Sequence, residues 1–230
     1  MGEMTNFPCG DASTDGYLAI PASGSGPGVI VVQEWWGLVP QIKGVCDRLA
    51  GAGFTTLAPD LYHGESAGHT EMDKAGELMN SLPPDRATRD MSGAVDCLLQ
   101  HPAVSSAHVG VVGFCMGGML AFLLGAHEGD RLAALVSYYG APLGEMAPDW
   151  SGLTAPVLVH VAGEDAFFPP DAVTALLDSL REMGKDVTYD VYPGTGHAFA
   201  NEENALGTHD AEATELAWQR TLDFLHDKLP

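Results

Sequence analysis

Cys115, Asp165 and His197 follow one another along this chain in an order that suits acyl transfer. A thiol attacks a carbonyl carbon once it has lost its proton. An imidazole can take that proton and return it to a leaving alcohol, and a carboxylate can fix the imidazole in one tautomer. The thiol sits in Gly113-Phe-Cys-Met-Gly117, a Gly-x-nucleophile-x-Gly elbow with cysteine where serine is usual. Such a reversal from strand to helix is so tight that the flanking residues must lack bulk. An unperturbed thiol, with a pKa of about 8.5, is only a few per cent thiolate at neutral pH, so it needs a base or local positive potential. The start of the following helix supplies that potential. Backbone N–H groups of Met116 and of a residue just after Val29–Val32 would form an oxyanion hole, each worth about 3 kcal/mol in the transition state. Read without its partners, Cys115 is equally a small buried hydrophobe between two packing glycines.

The elements around these residues decide between the two readings. Val109–Val112 is an apolar strand before the elbow, and Met119–Leu124 is an apolar helical stretch after it. Val157–Val161 runs into Gly163-Glu-Asp165, and Val187–Tyr192 runs through Pro193-Gly-Thr-Gly to His197. Thus all three side chains fall just beyond strands. Glu164 is a rival acid, but a Gly-x-Asp turn favours Asp165. His160 lies inside a strand and reads as a core histidine.

Elsewhere Val29–Val32, Thr55–Ala58 and Ala133–Tyr138 are further strands. Ile42, Val45, Cys46, Leu49 and Ala50 form one helical stripe, and further helices are predicted around Met72–Leu82, from Asp85 as its cap, and at Trp218–Leu229. Strands alternating with helices imply a mostly parallel, doubly wound α/β sheet with helices on both faces. Its ligands sit beyond the strands' carboxyl ends. No repeat or linker divides the chain, so a single domain over residues 1–230 is expected.

Composition narrows the function. With 46% hydrophobic and 18% charged residues, the chain is globular. Its net charge of −21 opposes nucleic acid and anionic membrane surfaces. No apolar run approaches the roughly 18 residues of a membrane span, and the N-terminus lacks a basic start and an apolar core, so a cytoplasmic protein with reduced thiols is expected. The four cysteines make no Cys-x-x-Cys pair. The expected partner is a small molecule, on a monomer or weak homo-oligomer.

From about Gly28 onward the chain resembles the dienelactone hydrolase family, the carboxymethylenebutenolidases, of the α/β-hydrolase superfamily. The matching residues are Gln33-Glu-Trp-Trp-Gly37, Ala58-Pro-Asp-Leu-Tyr62, Gly113-Phe-Cys-Met-Gly-Gly118, Tyr138-Tyr-Gly140, Gly163-Glu-Asp165, Gly194-Thr-Gly-His-Ala-Phe199 and Thr221-Leu-Asp-Phe-Leu225. The resemblance implies a Cys115–His197–Asp165 triad, a thioester intermediate, no metal and no organic cofactor. It further implies that Glu34 contacts the resting thiol and helps to deprotonate it, and that Trp35 gives the second oxyanion N–H. On the residues alone, Glu34 is equally a hydrogen-bonded carboxylate at the sheet's rim, and Trp35 and Trp36 line either an acyl pocket or the core.

Departures from the family concern the substrate. Family members acting on dienelactone hold its carboxylate with arginines. Here Asn201 stands four residues after His197, and Lys74 is the only base near Met72. The expected substrate-binding residues are therefore Trp36, Asn201 and Lys74. The function implied is hydrolysis of small esters or lactones. The alternatives are a general carboxylesterase and, in another class, a thiol redox sensor that retains the fold without catalysis.

Overall fold

The computed structural model describes residues 2–229, so the two outermost residues of the expected 1–230 domain lie outside the described range. Eight strands form one sheet: β1 (Glu3–Cys9), β2 (Ala12–Ala19), β3 (Gly26–Val32), β4 (Thr55–Pro59), β5 (Val104–Phe114), β6 (Leu132–Tyr138), β7 (Val157–Ala162) and β8 (Val187–Tyr192). Their spatial order is β1-β2-β4-β3-β5-β6-β7-β8. The strands from β4 to β8 are all parallel, while β1 and β2 pair antiparallel at one edge.

The six helices are α1 (Pro40–Gly51), α2 (Met72–Asn80), α3 (Pro84–Gln100), α4 (Met116–Glu128), α5 (Pro170–Glu182) and α6 (Ala211–Lys228). Side chains alternate across each strand, so β3 sends Ile30 and Val32 to one face and Val29 and Val31 to the other. On the first face Met91, Val95 and Leu98 of α3, Phe122 of α4 and Leu177 of α5 seal the core. Ile42, Cys46 and Leu49 of α1 and Trp218 and Leu225 of α6 seal the second. Burial on both faces explains why β3, and β7 apart from His160, are apolar runs. Among the described residues no helix is long and apolar enough to cross a membrane.

Two local expectations need correction. Asp85 does not cap α3: it lies in the first turn, behind Pro83 and Pro84, and no side chain caps that end. Proline at the first position removes an N–H that would otherwise need a partner, so the cap is dispensable. The strand before the elbow begins at Val104, not Val109, because its polar, largely exposed start Ser105-Ser-Ala-His108 carries no apolar signal.

β7 also holds a buried polar relay. Arg220 donates to the Tyr192 hydroxyl oxygen (3.0 Å), so the hydroxyl proton is directed to His160 Nδ1 (2.9 Å). The remaining Nε2–H then donates to Thr221 Oγ1 (2.9 Å), which also pairs with the Tyr138 hydroxyl (2.7 Å). Complete burial, aided by the nearby Arg220 charge, pulls His160 down to about 3. The folded chain thus refuses a proton that the unfolded chain takes up below pH 6.5, so this group's contribution is present above 6.5 and is lost as pH falls towards 3. The loss amounts to roughly 1.4 kcal/mol per pH unit. In urea unfolding at pH 7 and pH 4.5, His160→Gln should lose about 2–3 kcal/mol less than the parent over that interval. Parallel losses would show that His160 is not the group responsible.

Candidate active site

The sheet reverses winding direction between β3 and β5: from β3 the chain passes outward to β4, then returns to place β5 on β3's other side. Loops beyond β3 and β5 part there, opening a crevice at the carboxyl edge. Cys115 is the single residue between β5 and α4, with φ 55° and ψ −119°. A residue with a Cβ is held in that conformation at a cost of about 1–3 kcal/mol, which requires surrounding structure to enforce it. The Cys115 N–H donates to Tyr138 O (3.0 Å), and the Cys115 carbonyl accepts from Gly118 (2.9 Å) and Met119 (3.2 Å). The elbow closes only because Gly113 and Gly117 lie backbone to backbone. A Cβ on Gly113 would collide with the Gly117 carbonyl, and one on Gly117 with the carbonyls of Val32 and Gln33.

His197 reaches the sulfur from the loop after β8, its Nε2 3.0 Å from Cys115 Sγ. On the ring's other side Nδ1 lies 2.8 Å from Asp165 Oδ2. A carboxylate only accepts, so Nδ1 carries a proton and Nε2 is the nitrogen turned to sulfur. The second oxygen, Asp165 Oδ1, accepts from the N–H groups of Phe167 (2.8 Å) and Phe168 (2.9 Å), which leaves Oδ2 aimed at the imidazole. The rival Glu164 is exposed. Phe167, Phe168 and Tyr139 surround the imidazole, with ring centroids 4.9, 5.7 and 5.2 Å away. Burial among these rings pulls His197 down, but its bonds to Asp165 and Cys115 outweigh that and push it up to about 10.

Four other expected positions fall differently. Glu34 makes no hydrogen bond to Cys115. Its Oε1 accepts from the Tyr139 hydroxyl (3.2 Å) and its Oε2 from Asn201 Nδ2 (2.8 Å), and the sulfur faces His197 instead. Burial raises the Glu34 pKa, opposed by the Asn201 bond, the His197 charge and the Tyr139 bond. Asn201 is 1% exposed and committed to Glu34 and to the Glu203 N–H, so it does not face substrate. Trp36 is 2% exposed and packs edge-on against both Trp35 and His69, with ring centroids 4.9 Å away in each case. Lys74 is exposed on α2 beside the buried Ala75, off the face that carries Met79 to the site.

Trp35, by contrast, is half-buried at the crevice, and the Tyr62 hydroxyl donates to its carbonyl (3.1 Å). Among the described residues the N–H groups of Trp35 and Met116 have no acceptor within the protein. Unused donors on either side of the Cys115 thiol suit an oxyanion. A cavity of about 320 Å³ opens over Cys115 and His197. Sequence reasoning missed Tyr139, Phe167 and Phe168. Tyr139 directly follows β6 and so met the same location criterion as Cys115, Asp165 and His197, but the two phenylalanines act through backbone N–H groups, which no residue type reveals.

The family model of the dienelactone hydrolase family matches residues 14–229. Protein usf of Aquifex pyrophilus is 35% identical over 235 residues, which cover all of both chains. Carboxymethylenebutenolidase 1 of Cupriavidus pinatubonensis is 30% identical over 216 residues, covering 91% of this chain and 89% of that one. Among solved structures, a Klebsiella pneumoniae protein provisionally assigned as a dienelactone hydrolase superposes with a TM-score of 0.87 at 30% identity, covering 98% of each chain. With the elbow, the parallel sheet and nearly the whole length in agreement, this chain belongs to the dienelactone hydrolase family.

Proposed function

We propose that this protein hydrolyses small carboxylic esters or lactones through a thioester on Cys115. The observation that supports the reading is the unbroken relay from sulfur to imidazole to carboxylate, with separations of 3.0 and 2.8 Å. His197 Nε2 takes the Cys115 proton, and the thiolate so formed attacks the ester carbonyl carbon. The developing oxyanion takes hydrogen bonds from Met116 and Trp35, together worth about 6 kcal/mol if each contributes its usual 3. His197 gives its Nε2 proton to the leaving alkoxide as the carbon–oxygen bond breaks, leaving an acyl-thioester and an alcohol; in a lactone the alcohol stays tethered. Neutral His197 then takes a proton from water, whose oxygen attacks the thioester. Collapse expels the thiolate, which takes its proton back from the imidazolium, so the starting pair is restored and the acid is released.

Glu34 enters this scheme as a positioning residue. Its carboxyl ties the β3 loop that carries Trp35 to Tyr139 after β6 and to Asn201 beyond His197. Both Glu34 oxygens accept from neutral donors, so its amide isostere keeps the bond from Asn201 and can turn its NH2 to the Tyr139 hydroxyl oxygen. A role as the thiol's own proton acceptor is not needed.

The test is acyl trapping. On mixing with excess p-nitrophenyl acetate, a burst of one equivalent of p-nitrophenolate per chain is expected, with the mass of one acetyl group on the peptide containing Cys115. Glu34→Gln should keep the burst amplitude and lower its rate by no more than about tenfold, since only positioning is disturbed. Absence of acylation, with Cys115 instead oxidised stoichiometrically by peroxide, would favour the redox-sensor reading over hydrolysis.

A further inference from the structure

The wall of the cavity above Cys115 says what the substrate can carry. Four of its side chains are thioethers: Met79 from α2, Met116 and Met119 from α4, and Met146 from the loop after β6. Trp35, Phe167 and Phe168 supply three aromatic faces. The only ionisable side chains in the lining are Cys115 and His197, which the reaction itself uses. Of the ten lysines and arginines in the chain, none contributes to the lining. Lys74 and Asn201, the nearest candidates by sequence, are respectively turned to solvent and occupied by Glu34. At the mouth Met79, Met146 and Phe167 are 38%, 50% and 58% exposed, so the approach is apolar as well.

Resting on the reading that Cys115 is acylated, we propose that the enzyme's substrates are uncharged esters or lactones with an aromatic body, and that a carboxylate on the substrate excludes it. A carboxylate in this cavity would lose its hydration and find no cation in return. The net charge of −21 opposes its approach from solvent. Thioethers and aromatic rings favour a π-system instead, since sulfur packs well at ring edges and flexible methionines adapt to its outline. Size agrees: about 320 Å³ is roughly twice the dry apolar cavity that accepts benzene. A phenyl ring with a short acyl chain fills it.

The experiment compares kcat/KM of the intact protein for phenyl butyrate and for 4-carboxyphenyl butyrate, which share the acyl group and differ by one charge. Phenyl butyrate should be preferred at least about tenfold, with the difference carried mainly in KM. Met79→Arg, which sets a cation at the mouth, should narrow the ratio by at least about tenfold. Equal turnover of the two esters, or preference for the charged one, with Cys115 acylated by both, would overturn the substrate assignment and leave the hydrolase reading standing. Failure of either ester to acylate Cys115 would instead overturn the hydrolase reading, and the assignment with it.

Discussion

Cys115→Ala should lower kcat for phenyl butyrate by a factor on the order of 10⁶ while leaving the melting temperature within a few degrees of the parent. In the mechanism proposed, the nucleophile and its base act as a unit, so losing either costs about as much as losing both. Alanine retains the Cβ that makes φ 55° costly, so the elbow is neither relieved nor further strained by this change. The backbone bonds from Tyr138, Gly118 and Met119 to residue 115 do not involve the sulfur and persist. What disappears is the group 3.0 Å from His197 Nε2 and with it any acyl-enzyme. Steady-state kinetics beside thermal unfolding check both halves. A variant that keeps its turnover would place the chemistry elsewhere, and the oxyanion donors would then have no acyl-enzyme to serve.

Asp165→Asn should cost about 10⁴ in kcat, although the substitution changes one atom. The side chain cannot simply rotate to spare the relay. Oδ1 is anchored by the N–H groups of Phe167 and Phe168, so the amide oxygen must stay there and the amide nitrogen must face His197. Nδ1 of the ring is then forced to accept, which puts the single imidazole proton on Nε2, facing sulfur, and leaves no basic nitrogen for it. Loss of the carboxylate also removes a partner that pushes His197 upward. The stability linked to that raised value is fully present below pH 6.5 and is lost as pH rises through about 10. Accordingly, the variant should show a lowered His197 titration midpoint by NMR and a smaller change in unfolding free energy across that alkaline window. An unchanged midpoint would mean that Asp165 does not set the imidazole's charge.

The failures of sequence reasoning here are specific. β1 was not foreseen, because Glu3–Cys9 contains Pro8 and buries only Phe7 and Cys9. An edge strand needs no more than that, and proline is tolerated where no neighbour requires its N–H. Asn201 stands where a carboxylate-binding residue was expected, and it is the partner of Glu34, 167 positions away in sequence. Trp35 and Trp36 are chemically the same residue, yet one reaches the crevice and the other the core.

That Cys115, Asp165 and His197 meet at one edge of the sheet was legible from the residues alone, because strand–turn–helix punctuation is local: short apolar runs, glycines and the side chain just past each strand's end are all read within about ten positions. The doubly wound sheet followed from the same alternation. The hydrogen-bond partners of each carboxylate, those of Glu34 included, and the uncharged cavity wall emerged only once the chain was folded. These are contacts between residues separated by tens to hundreds of positions, and burial, more than residue type, decides which polar groups must find each other there.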